Sequence, residues 1–172
     1  LCSNEGCGDR CLFFIDLIEL DLIPLFFQLG VEIHTTVSVM NELYLEQQQI
    51  LGAYQSVGKL TVHNLGELDF LEMQKISFPR GLSFQDSTVI YLAKKLEGAM
   101  VISSDKKVRE FAGYQGLTYH GIFWVLDQLV NDSILSKAQA LAILNIMPEI
   151  NSMYQGMLMK KEIDKRMIMW GK

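Results

Sequence analysis

Residues 82–109 read LSFQDSTVIYLAKKLEGAMVISSDKKVR. Ser83 followed three residues later by Asp86 is a capping-box pattern, and the spacing predicts a helix over Ser83–Leu96. Val89, Ile90, Ala93 and Leu96 stand at i+3, i+4, i+7 and i+10 from Asp86, so Asp86 shares the apolar stripe that packs inward. Ala99–Ile102 then reads as a buried strand, Asp105–Tyr114 as a helix ending near Gly116, and Leu117–Tyr119 as a further short strand. Strands alternating with helices imply βαβ units, a mostly parallel sheet and helices on both faces.

The same alternation extends outward. Leu17–Leu29 looks helical, with Pro24 forcing a break or a second start. Val31–His34 and Lys59–Val62 are strand candidates. Val37–Leu51 is an amphipathic helix, with Met40, Leu43, Tyr44, Ile50 and Leu51 on one face. Gly66–Ile76 is a helix before Pro79. Ile122–Leu129, Ser136–Asn145 and a segment after Pro148 are also helical. The expected architecture is an α/β, three-layer α/β/α sandwich around a mostly parallel central sheet. The expected organisation is a poorly structured segment over 1–8, a domain over 9–147 and a C-terminal helical extension over 148–172.

The 172 residues suit one domain, and at 49% hydrophobic and 20% charged they exclude a disordered chain. The formal charge of −5 argues against a dedicated duplex binder, which carries a basic face. It leaves room for a nucleic-acid enzyme whose acids are neutralised by a metal. The longest uncharged run, 111–126, is too short and too polar to span a membrane. The first ten residues lack an apolar signal core, so the expectation is a soluble cytoplasmic protein. Cys2, Cys7 and Cys11 are an odd number clustered at the start, which speaks against a disulfide framework. Zinc there would need a fourth ligand, and the nearest histidine is His34.

In open parallel sheets chemistry gathers beyond the carboxyl ends of the strands. Asp105 stands there, after Ser103 and Ser104, where it serves equally as a helix cap. Asp86 points toward a core, a costly place for a charge unless it is paired or bound to a metal. Its first-turn position alternatively suits capping. Glu42 falls opposite the main apolar face of its predicted helix, as a solvated acid would. Asp16 ends the apolar run Cys11–Ile15, and Asp9 precedes it. Several acids converging on one cleft would hold Mg²⁺ or Mn²⁺ through hard oxygen ligands. Such a metal serves phosphodiester hydrolysis.

Three stretches together resemble a PIN domain: Asn41-Glu42-Leu43, Leu82–Asp86 leading into Tyr91-Leu92-Ala93, and Ile102–Arg109. Glu32–Thr36 and Tyr119–Asp127 are similar to a bacterial PIN-like branch. The order fits over roughly residues 9–147. The resemblance implies a Mg²⁺- or Mn²⁺-dependent ribonuclease acting on single-stranded RNA, a class often found as the toxin paired with an antitoxin protein. It implies metal-holding roles for Glu42, Asp86 and Asp105, and a supporting role for Ser104 beside Asp105 or the attacking water. Two positions compete for the first acid. Asp9-Arg10-Cys11 looks like the first motif, but no apolar strand precedes it, whereas Asp16 follows an actual apolar run. Lys106 and Arg109 are candidates for RNA phosphate contact. His34 and His120 read as structural, and His63 has no supporting context.

Other chemistries lack their motifs. Gly52 to Gly58-Lys59-Leu60 misses a phosphate loop by one residue and by the hydroxyl that Leu60 replaces. No dinucleotide glycine pattern follows a strand, and no nucleophile elbow occurs. Residues 153–172 carry Lys160, Lys161, Lys165, Arg166 and Lys172 against Glu162 and Asp164, a net of +3 that leaves −8 on the remainder. Met159, Ile163, Met167 and Trp170 form a helical stripe, suited to docking on the chain's own domain or alternatively to a dimer, antitoxin or RNA contact. Three functions stand in order: the metal-dependent endoribonuclease, a catalytically impaired PIN-like binding or regulatory module, and a small-molecule phosphohydrolase.

Overall fold

A computed structural model describes residues 12–171. In chain order the elements are α1 (Leu12–Glu19), α2 (Ile23–Phe26), β1 (Ile33–Thr36), α3 (Val37–Met40), α4 (Leu45–Ser56), β2 (Leu60–His63), α5 (Glu67–Met73), α6 (Phe84–Lys95), β3 (Met100–Ile102), α7 (Lys106–Tyr114), β4 (Thr118–His120), α8 (Ile122–Asn131), α9 (Lys137–Ile150), a 3-10 turn (Ser152–Gln155) and α10 (Met157–Trp170). They fall into two compact units, one with residues 12–15 and Glu32–Gly121, the other with Asp16–Val31 and residues 122–171.

The first unit holds all four strands found among the described residues. They pair in parallel, β1 with β2 and β3 with β4, as two separate two-stranded sheets, so the strand layer is small and all its pairings are parallel. Crossovers α4 and α7 join the paired strands, and α6 packs against both β1 and β3. This is the expected α/β class, with parallel strands layered against helices. The core of the unit is Ile90 and Ala93 of α6, Val101 of β3 and Val108, Phe111 and Ala112 of α7. Ile90 and Val101 are essentially sealed from solvent. Burial of that kind contributes roughly 1.5–3 kcal/mol per side chain. Close approach is built in at Gly113 of α7, where a Cβ would lie 2.6 Å from the Tyr119 ring of β4.

In the second unit, α8 contacts α2 and α9, and α9 contacts the 3-10 turn and α10. Leu17, Leu126, Leu129, Ala140, Leu144 and Met147 are fully buried. Residues 148–172 thus group with Asp16–Val31 and with α8 and α9.

Three local expectations need correction. The apolar run Cys11–Ile15, after which Asp16 is expected to stand as after a strand, is described from Leu12 on, and there it is helical. Phe13, Phe14, Leu17 and Leu20 are buried at helical spacing along and just past α1. The single helix expected over Val37–Leu51 is two, because Tyr44 is extended and its backbone N–H is capped by Gln47 Oε1 at 3.0 Å, which starts α4 afresh. Pro148 does not punctuate a boundary but lies inside α9, whose buried Ala140, Leu144 and Met147 hold its inner face. Cys2, Cys7, Cys11, Asp9 and the segment 1–8 lie outside the described residues.

Candidate active site

Ser83 caps α6. Its hydroxyl accepts the Asp86 backbone N–H at 3.0 Å and donates to Asp86 Oδ2 at 2.6 Å. The cap therefore fixes the Asp86 carboxylate in the first turn, on the buried side of the helix, with 7% of the residue exposed. Burial pushes its carboxyl above the usual range, and the carboxylates of Asp105 and Glu42 push it further. The Ser83 hydrogen bonds pull the other way without offsetting the burial. No base among the described residues forms an ion pair with Asp86. An acid is thus held among acids, which is costly for folding and characteristic of sites that take up a cation or a proton.

Asp105 comes from the end of β3. It is the N-cap of α7, its Oδ1 accepting the Lys107 backbone N–H at 2.7 Å. The capping reading and the cleft reading hold together here, since a cap uses one oxygen. Ser103 steadies the turn: its hydroxyl accepts Asp105 N–H at 3.1 Å, and its own N–H donates to the His120 carbonyl at 3.0 Å. Ser104 between them is buried. Glu42 lies not on a long helix but in the turn between α3 and α4, half-buried. Asp86, Asp105 and Glu42 therefore belong to one electrostatic neighbourhood of the first unit.

Their donor atoms are all carboxylate oxygens, the type a hard divalent cation takes. Among the described residues, no three His, Cys, Asp or Glu side chains stand close enough together to hold a metal ion. Asp16, the other candidate for the first acid, belongs to the second unit. It sits inside α1, fully buried, and accepts hydrogen bonds from Asn151 Nδ2 at 3.2 Å and from the Tyr154 hydroxyl at 2.6 Å. Of the proposed phosphate contacts, Lys106 Nζ lies 3.3 Å from Glu110 Oε1, one turn along α7. Arg109 donates from NH1 to the Ser103 carbonyl at 2.6 Å.

Three arrangements were not read from the sequence. Thr36, ending β1, meets Thr88 of α6 at 2.8 Å in a buried pair. Thr88 donates to the Gln85 carbonyl and Thr36 accepts Val39 N–H, so Thr36 donates across the pair. This ties the strand end that precedes Glu42 to the helix that carries Asp86. His34 Nδ1 and His63 Nε2 share a hydrogen bond at 3.0 Å between β1 and β2. Tyr91 donates toward both Asp69, at 2.9 Å, and Glu72, at 2.7 Å, fastening α5 to α6, while Lys95 reaches Asp69 at 2.6 Å. A lone Thr, His or Tyr carries no sequence signal for a partner 19 to 52 residues away. In the second unit, Arg166 is no part of a solvated basic tail. It is buried, bidentate to Asp127, bonded to Glu162 and placed 4.7 Å over the Phe123 ring.

A family model described as PIN domain matches residues 12–165. No curated protein and no solved structure matches the chain. Among the described residues, no helix is long and apolar enough to cross a membrane.

Proposed function

The chain belongs to the PIN domain family, and on that premise we propose that it is a Mg²⁺- or Mn²⁺-dependent endoribonuclease that hydrolyses phosphodiesters of single-stranded RNA. The observation that carries the reading is Asp86: a capped, buried carboxylate whose charged form is opposed by burial and by two further acids. A fold retains such a group when a ligand relieves it. Asp86 would meet the cation through its carboxylate, with Asp105 and Glu42 as the neighbouring acids of the same unit, although as they lie no three acids among the described residues are close enough to complete a metal site. The cation would supply charge neutralisation at the phosphate and a more acidic water.

The chain's own part is positioning. Ser83 orients the Asp86 carboxylate, the Ser103 turn orients Asp105, and the Thr36–Thr88 pair holds the β1 end against α6. Ser104, buried beside Asp105, would support that carboxylate or orient the attacking water. Within this reading the protein acts as the toxin of a toxin–antitoxin pair, its activity checked by a bound antitoxin protein.

The test is cleavage of an end-labelled single-stranded RNA by the wild type and by Asp86→Asn, with EDTA, Mg²⁺ or Mn²⁺. The expected result is metal-dependent cleavage that falls about a hundredfold or more in the variant. Cleavage that needs no metal, or that the variant retains, refutes the proposal. The second reading, a binding module without catalysis, is favoured by the Asp16 carboxylate being taken up by Asn151 and Tyr154. It predicts RNA retention with no cleavage under any metal condition.

A further inference from the structure

The sequence draws attention to Lys106 and Arg109, yet the cation on the first turns of α7 with no ion-pair partner among the described residues is Lys107. Lys106 is paired with Glu110, and Arg109 is spent on the Ser103 carbonyl. Among the described residues, the Lys107 ammonium meets no carboxylate within ion-pair distance, and the residue is exposed. Its backbone is fixed by the bond from its N–H to Asp105 Oδ1 at 2.7 Å. Its ammonium lies over the loop that leads into α6, 3.2 Å from where a Cβ on Gly81 would stand. Gly81 itself has φ +86°, a left-handed conformation that only glycine adopts without strain. A side chain at position 81 would be strained and would also displace the ammonium. Arg80, next to it, is exposed and has no ion-pair partner among the described residues.

Lys107, with no ion-pair partner among the described residues, is therefore stationed between the loop that begins the Asp86 helix and the cap that holds Asp105. We propose that Lys107 is the residue that binds an RNA phosphate at this site, with the Gly81 loop as the platform on which its ammonium rests. The proposal rests on the ribonuclease reading. It names a substrate-binding residue that reading did not contain. The free charge would offset the acids for an approaching polyanion, and a point charge suits a phosphate oxygen.

The experiment is fluorescence anisotropy of a labelled 12-nucleotide oligouridine in EDTA, across a salt series. It compares Asp86→Asn protein with the same protein carrying Lys107→Gln, Lys107→Arg, Lys106→Gln or Lys59→Gln. Lys107→Gln is expected to weaken binding about fivefold at low salt. It should also lower the slope of log K against log salt by about 0.7, the loss of one single-strand phosphate contact. Lys107→Arg restores both, and Lys59→Gln changes neither. Gly81→Ala gives the same weakening with the lysine present. Equal affinity and slope for Lys107→Gln, or the same losses in Lys106→Gln instead, overturn the assignment of Lys107 and leave the ribonuclease reading standing. Absence of RNA binding in the parent protein overturns both.

Discussion

The two units bury charge in opposite ways. In the second, Arg166 is nearly sealed, but Asp127 takes two of its nitrogens, Glu162 a third, and the Phe123 face covers it. That buried charge is matched, as the buried Asp16 of the same unit is supplied with hydrogen bonds by Asn151 and Tyr154. In the first, Asp86 is equally buried, and the ionisable groups that act on it are two more acids. Matched burial is the signature of construction: it holds α10 against α8 and leaves nothing for a ligand. Mismatched burial is costly to the fold, and a cation or a proton would relieve it.

The sharpest way to break this contrast is Asp86→Asn. The substitution should reduce metal-dependent RNA cleavage about a hundredfold or more while leaving the thermal midpoint unchanged or raised, because it removes an opposed charge. A variant that loses activity only by unfolding would place Asp86 with the structural charges. Arg166→Met is the converse. It should cost about 3 kcal/mol in urea denaturation, since Asp127 and Glu162 are left without their partner. Adding Asp127→Leu should recover much of that loss, because the unpaired acid goes with its partner.

A smaller effect separates the two by pH. The raised Asp86 carboxyl means that the fold binds its proton more tightly than the unfolded chain. Its contribution is most favourable below the ordinary carboxyl range and is lost as pH rises through the folded value. The stability difference between wild type and Asp86→Asn should therefore widen against the wild type as pH increases from 4, as followed by denaturation at a series of pH values. Asp69 titrates with the opposite sign. The Lys95 ammonium, with the Gly66 N–H and the Tyr91 hydroxyl, holds its carboxyl down at about 2. That support is present above the ordinary Asp value and fades as pH falls toward 2. Lys95→Gln should produce a small loss of stability above the ordinary Asp range that disappears as pH falls toward 2, and salt should weaken the same support in the wild type, because the Lys95 end of the pair is exposed.

Much of the first unit was legible because its elements obey local rules. Ser83 and Asp105 cap their helices as their residue types prescribe, and Ile90, Ala93 and Val101 alternate at the periods of a helix and a strand. The places of Asp86 and Asp105 were legible for the same reason, one in the first turn of a helix and the other at a strand end. What misled was ambiguity of period. An apolar run such as Leu12–Ile15 reads as strand or helix, and Leu17 and Leu20, buried a turn further on, extend the helical face. Glu42 was placed on a helix because its neighbours are amphipathic, whereas the Gln47 cap on Tyr44 restarts the chain and leaves Glu42 in a turn.

By itself the sequence determined the parallel α/β class and the family resemblance, because periodicity, caps and strand-end residues are properties of short segments. Only the tertiary structure decided which charges are spent and which are free. Asp16 went to Tyr154 across 138 residues, Arg109 to a carbonyl, Arg166 to Asp127, and Lys107 to no acid among those described. A charge is neutralised by whatever the fold brings within a few ångströms, and that distance is not written in any local stretch of chain.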